Sequence, residues 1–117
     1  SSLVGSEMCI RDRYYESAIS VMKEKFQKPV FFVFSDDIPW VKVNLNIPNA
    51  YYIDWNKKEN SYLDMYLMSL CTASIIANST FSFWGAMLGN KKELVIKPKK
   101  WIGDEIPEIF PPSWLSL

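Results

Sequence analysis

One segment, residues 64–88, constrains this chain more than any other. Asp64-Met65-Tyr66-Leu67-Met68-Ser69-Leu70-Cys71 has the composition of an apolar helix, and Thr72-Ala73-Ser74-Ile75-Ile76-Ala77 carries a short β-branched strand. Asn78-Ser79-Thr80-Phe81-Ser82 then places small hydroxyl and amide side chains at the start of a second helix, which continues through Phe83-Trp84-Gly85-Ala86-Met87-Leu88. Where a strand of a parallel sheet gives way to a helix, backbone N–H groups lack partners and the helix dipole is positive. The strand ends also leave a crevice there. The segment is therefore suited to hold a phosphorylated, anionic ligand.

The first residues are set aside. Leu3-Val4-Gly5-Ser6-Glu7-Met8-Cys9-Ile10-Arg11-Asp12 resembles the translation of a transposase-type sequencing adapter, whose mosaic end gives Met-Cys-Ile-Arg-Asp. Such scars do not enter fold reasoning. The expectation is a non-native segment, residues 1–13, followed by one native domain, residues 14–117, truncated at its amino end.

That native stretch is long enough to bury a core. The chain has 13 Lys and Arg against 13 Asp and Glu, and removing Glu7, Asp12, Arg11 and Arg13 leaves it neutral. No basic excess argues for nucleic acid as a partner. With Cys9 in the set-aside segment, Cys71 is the one native cysteine, so neither a disulfide framework nor a zinc site is expected within it. No apolar run is of bilayer-spanning length, residues 62–70 being the length of a core helix. A membrane anchor ahead of Tyr14 stays open.

Tyr14, Ala18, Met22 and Phe26 recur every four residues and predict an amphipathic helix stopped by Lys28-Pro29. Residues 30–34 form a continuous apolar run, which predicts a strand buried on both faces. A short helix through about Asn44 follows, then a turn-rich connection at 46–49 and a strand at 50–53. Residues 54–60 are polar loop, 61–71 helix, 74–77 strand, 80–88 helix with Gly89-Asn90 as its left-handed stop, and 93–97 strand. The alternation predicts a parallel α/β sheet of about four strands, Rossmann-like in class. Its carboxyl edge is expected to carry residues 35–37, Asp54 and residues 78–80 on one rim. The Pro- and Trp-rich tail from Pro98 is expected to wrap the surface without regular structure.

Phe34-Ser35-Asp36-Asp37 with Trp40, Tyr52-Ile53-Asp54-Trp55-Asn56, the long segment at 64–88 and Lys97-Pro98-Lys99-Lys100-Trp101 occur here in one order. Together they resemble the C-terminal half of the α-1,2-fucosyltransferase family, glycosyltransferase family 11, and the likeness covers essentially all of residues 14–117. The resemblance implies GDP-fucose as donor substrate, a galactoside-containing glycan as acceptor, inversion at the anomeric carbon and no required metal or other cofactor. It also implies a GT-B-like fold, of which this chain would be most of the donor-binding lobe. Membrane association of the parent protein, on the cytoplasmic side in a microbe, is a further expectation, the microbial source read from the lysine- and asparagine-rich composition. The family carries a His-x-Arg-Arg-Gly-Asp segment whose arginines hold the donor diphosphate. This chain has no histidine and no Arg-Arg pair, and its only arginines are Arg11 and Arg13. The motif is expected upstream of Tyr14, so the parent is expected to be an enzyme and the fragment inactive by itself.

Candidate site residues each carry a competing structural role. Ser35, Asp36 and Asp37 directly follow an apolar strand, at the ligand-binding edge of a parallel sheet. Asp37 ahead of Ile38-Pro39 is equally a helix N-cap. As ligand groups, the carboxylates would bind ribose or sugar hydroxyls or orient the missing arginines. Asp36 or Asp37 as general base is the weaker alternative, and the catalytic residues are otherwise unassigned. Asp64 fits a capping box, Ser61-Tyr62-Leu63-Asp64. Its rival role is carried from related fucosyltransferase families, where an acidic residue near this region reads the guanine edge. Asn78, Ser79, Thr80 and Ser82 are the best candidates for a diphosphate cradle, with N-capping by Ser79 as the plain alternative. Asn78-Ser79-Thr80 is also a glycosylation sequon, expected to go unused at a sheet crevice. Gly85 is expected to permit close helix–sheet packing. The aromatics at 40, 55, 81, 83, 84 and 101 are expected mostly in the core, with Trp55 or Trp101 able to stack on a sugar or base. Lys97, Lys99 and Lys100 could offset phosphate charge, although solvated lysines are common.

The function these features favour is the donor-binding half of an inverting galactoside 2-α-L-fucosyltransferase. Its rivals are a non-catalytic nucleotide- or glycan-binding α/β module and a Rossmann-like enzyme acting on another phosphorylated ligand.

Overall fold

The computed structural model describes residues 6–35, 37–56, 58–77, 80–88, 92–99 and 110–117, excluding the side chains of 6–12, 58 and 80. The chain forms two compact units, Ser1–Lys57 and Lys58–Leu117.

In the first unit, α1 (Ser6–Lys25) leads into β1 (Phe31–Phe34), α2 (Ile38–Asn44) and β2 (Ala50–Ile53). The helix expected from the Tyr14 stripe is present, but it begins at Ser6 and takes in residues set aside in the sequence. Its buried positions are Ala18, Ile19 and Met22, while loss of solvent pushes the Tyr14 phenol well above its ordinary pKa, with a smaller contribution from neighbouring Tyr15. Helix α1 ends at Lys25, ahead of the Lys28-Pro29 pair expected to stop it, and Lys28, at φ 51°, takes a left-handed conformation in the turn before β1. β1 and β2 pair in parallel from Phe31↔Ala50 to Phe34↔Ile53.

The double-sided burial expected of residues 30–34 does not occur. Phe32 is 52% and Tyr51 60% exposed, and the two rings stack with centroids 5.7 Å apart. Register explains the pairing, because residues opposite one another in a parallel ladder project from the same face.

The second unit opens with a 3-10 turn, Lys58–Asn60, and continues through α3 (Tyr62–Ser69), β3 (Ala73–Ile75), α4 (Thr80–Met87), β4 (Leu94–Lys97) and β5 (Leu115–Ser116). Its three strands are parallel in the order β3-β4-β5. Backbone bonds extend the ladders at both ends: Glu93 N–H to Thr72 O at 2.9 Å, Ile76 N–H to Ile96 O at 2.9 Å and Leu117 N–H to Lys97 O at 3.0 Å. The core joins Ile76, Val95, Phe83 and Ala86, with Phe110 and Trp114 packed against it. Phe83 meets Phe110 edge-on at 5.5 Å and Trp114 at 5.7 Å.

Two expectations are corrected here. The strands are parallel, but they form sheets of two and three rather than one sheet of four. The tail is not wholly irregular, since Leu115 and Ser116 add a strand alongside β4. Trp114, directly ahead of them, packs against Phe83 and Phe110. The Gly89-Asn90 stop lies outside the described residues. No described helix is long and apolar enough to cross a membrane.

Helix α3 is secured at both its side and its end. A Cβ added at Gly85 of α4 would lie 2.8 Å from Met68 Cε and 3.1 Å from Met68 Cβ. Glycine therefore serves helix–helix rather than the expected helix–sheet packing. At the C-terminus of α3, the Lys92 ammonium donates to Met68 O at 2.9 Å and Cys71 O at 2.6 Å. A cation meets helix-terminal carbonyls there, where the dipole is negative. Burial depresses the Lys92 pKa, and Cys71 opposes that shift. Burial pushes the Cys71 thiol up, Lys92 opposing, and Cys71 Sγ donates to Leu67 O at 3.5 Å.

Two outcomes are expected. Gly85→Ala gains about 1 kcal/mol of helix propensity but overpacks the α3–α4 contact by roughly 1–3 kcal/mol, so thermal melting should fall modestly. In a Met68→Ala background the penalty should shrink, which a double-mutant cycle reads. In a Cys9→Ser background, iodoacetamide attacks only the Cys71 thiolate. The native rate profile should therefore rise at higher pH than that of the guanidinium-unfolded chain. The same upward shift means the thiol's contribution to stability is present below the unfolded thiol pKa and falls as pH climbs toward the native one.

Candidate functional site

Parallel pairing places both strand exits of the first unit on one edge. Phe34 opposes Ile53, so Ser35 and Asp54 leave the sheet side by side. Ser35 Oγ accepts from Asp37 N–H at 3.0 Å, which turns the chain. Asp37 Oδ1 then accepts from Trp40 N–H at 3.2 Å, and Asp37 O accepts from Val41 N–H at 3.2 Å. Asp37 is thus the N-cap of α2, with Pro39 in the first turn, one of the two roles its sequence position allows. Asp36 lies outside the described residues. Trp55, directly after Asp54, is 65% exposed rather than in the core, so its indole is open at this edge. Trp84 is likewise about half exposed, while Phe83 is buried.

In the second unit the same rule puts the opening of α4 at the carboxyl edge of β3. Asn78 and Ser79 lie outside the described residues, as does the Thr80 side chain, although Thr80 is the first residue of α4. Ser82 is buried and its hydroxyl donates back to Ala77 O at 3.0 Å. That bond fastens the first turn of the helix to the end of the strand.

Asp64 is half-buried in the first turn of α3. The Ser61 half of the expected capping box is not formed. Ser61 has helical dihedrals, φ −63° and ψ −23°, and makes no side-chain cap bond, while Asp64 N–H reaches Ser61 O at 3.0 Å. An Ncap hydroxyl needs extended backbone to reach forward, and the preceding 3-10 turn denies it. Lys92 pins the end of α3 beside the entry to β4, so Asp64, four residues before Met68 and roughly 6 Å of axis away, lies toward the other end of the helix. That is the end of the sheet at which α4 opens.

The group whose setting the sequence least conveyed is Lys97. It is 6% exposed, its Nζ lies 4.7 Å from the Phe110 ring centroid, and it donates to Pro98 O at a long 3.4 Å. A signal was present: Lys97 is two residues beyond Val95, so an inward Val95 implies an inward Lys97. Lys99 is exposed and donates its backbone N–H to Leu117 O at 3.0 Å, and Lys100 and Trp101 lie outside the described residues.

The model of glycosyl transferase family 11 matches residues 6–117. An O-antigen biosynthesis glycosyltransferase, WbnK, of Escherichia coli is 40% identical over 107 residues, which are 89% of this chain and 35% of the relative. An α-1,2-colitosyltransferase of Escherichia coli is 42% identical over 91% of this chain and 39% of its own length. A galactoside 2-α-L-fucosyltransferase, SEC1, of Bos taurus is 23% identical over 86% of this chain and 28% of its own. The chain thus spans little more than a third of the bacterial relatives. No solved structure matches it. A family model matched along nearly the whole chain, and two relatives at 40% identity or more, make it a member of glycosyl transferase family 11.

Proposed function

We propose that this chain supplies the donor-binding part of an inverting α-1,2-glycosyltransferase that moves fucose from GDP-fucose to the 2-hydroxyl of a galactoside. Membership of family 11, alongside relatives named for α-1,2 transfer of fucose or colitose, is the observation that carries this reading. The parallel strands with helices opening at their carboxyl ends support a Rossmann-like, GT-B-like donor lobe. In the reaction, the acceptor 2-oxygen bonds to the anomeric carbon as the bond from that carbon to the diphosphate oxygen breaks. GDP leaves with the electron pair, and the hydroxyl proton passes to a base. Charge therefore builds on the diphosphate, and preorganised protein groups are the usual means of stabilising it. In this proposal protein donors rather than a metal perform that task.

Colitose is a second candidate for the transferred sugar, favoured by the 42% identity to the colitosyltransferase. Competition between the two sugar nucleotides for the full-length enzyme would decide between them.

The chain by itself should bind GDP weakly at best and transfer nothing. It has no histidine, and its only arginines are Arg11 and Arg13. Each charge-assisted bond missing from the diphosphate removes roughly 1.5–3 kcal/mol, hence orders of magnitude in affinity for two. Incubation with GDP-fucose and a β-galactoside should give no fucosylated product above a protein-free control. Turnover would show that the machinery lies within these residues. For Asp64, a guanine-reading role predicts that Asp64→Asn in the full-length parent loses preference for GDP over ADP while melting barely moves, because the amide sets a donor against a donor. Retained preference would leave Asp64 a structural residue of α3.

A further inference from the structure

We propose that Lys97 is the buried cation that receives the diphosphate of the nucleotide donor, an assignment that rests on the donor-binding reading above. Ser74 pairs with Val95 in the β3–β4 ladder, and Lys97 pairs with Ser116 in the β4–β5 ladder. Alternation therefore puts Ile76, Val95 and Lys97 on one face of the sheet. That is the face α4 covers, because Ile76 and Val95 pack with Phe83 and Ala86. Lys97 lies one alternation step beyond Val95 toward the carboxyl edge, the level at which α4 opens with Thr80 and Ser82 is tied to Ala77. Its tip is fixed near that edge by the Pro98 carbonyl and the face of Phe110.

The setting is costly for a cation with nothing to bind. A lysine ammonium has three N–H donors. Among the described residues, Lys97 has one long acceptor at 3.4 Å and one ring face, at 6% exposure. Buried charges are normally paired or fully hydrogen-bonded, and a group with one long acceptor keeps donor capacity for an incoming anion. The first-turn N–H groups of α4 add a second, independent attraction for negative charge at the same rim. A diphosphate offers oxygens enough to satisfy both. A lysine here acts as a point charge, which suits a leaving group whose charge grows during transfer.

The experiment titrates the 117-residue chain and its Lys97→Met variant with GDP and, separately, with guanosine, following amide and Lys97 side-chain shifts by NMR. Removing one charged partner should weaken GDP by about tenfold or more. Guanosine, which has no phosphate, should bind both proteins alike, and melting without ligand should be unchanged or higher for the variant, since a buried charge has been removed. Equal GDP affinity, or equal losses for GDP and guanosine, would overturn the assignment while leaving the donor reading intact. Absence of saturable GDP binding to the unaltered chain at millimolar concentration would overturn this assignment, and guanosine binding that persists there would leave the donor reading standing. If Lys97→Met loses cooperative melting, Lys97→Gln takes its place, with the same outcomes deciding.

Discussion

Parallel pairing is the constraint on which the rest of the structure depends. Two parallel neighbours cannot be joined by a tight turn, so the chain must leave one strand at its carboxyl end and return to the far edge of the sheet. In the second unit that return is α4, and its opening turn is consequently delivered to the exits of β3 and β4. Ser82, Lys97 and the start of α4 share a rim as a result of topology, before any side chain chooses a partner. The same rule sets Ser35 beside Asp54 in the first unit.

Within that frame, the polar residues of the strand exits largely hold backbone. Asp37 caps α2, Ser35 holds the Asp37 amide and Ser82 returns to Ala77. Such bonds do not compete with ligand recognition so much as make it possible, because a loop whose turns are internally fastened presents its remaining groups in one arrangement. Lys92 does comparable service at the opposite edge, joining the end of α3 to the approach of β4. The rim and its base are thus both fixed by short polar links around a small aromatic and aliphatic core.

Periodicity and punctuation made much of this visible in advance. The strand at Ala50–Ile53, the helix Ile38–Asn44 with its Asp37 cap and the helix opening at Thr80 follow from local chemistry, which sequence displays directly. Partners distant in sequence were harder. The apolar run at 30–34 looked doubly buried because composition cannot say which layers will cover the faces of a strand, and the face that carries Phe32 and Tyr51 stays exposed. Gly85 announced a close approach, but only the fold shows that Met68 is what approaches. Lys97 looked like a solvated lysine of a basic cluster, although the inward position of Val95 already fixed its direction. At the candidate site, the residue types and their strand-exit positions were legible. Which oxygens are occupied by the backbone was not, since that depends on turn dihedrals such as those that keep Ser61 from capping α3.

The short strand β5 bears on the chain's behaviour in solution. An unpaired parallel strand edge presents free N–H and C=O groups that invite addition of a foreign strand. Leu115 and Ser116, extended by the Leu117 N–H bond to Lys97 O, occupy that edge of β4. A two-residue ladder is thin cover, yet Trp114, packed on Phe83 and Phe110, anchors it from within. The aromatic cluster that fills the core thereby also holds in place the strand that covers this edge of β4.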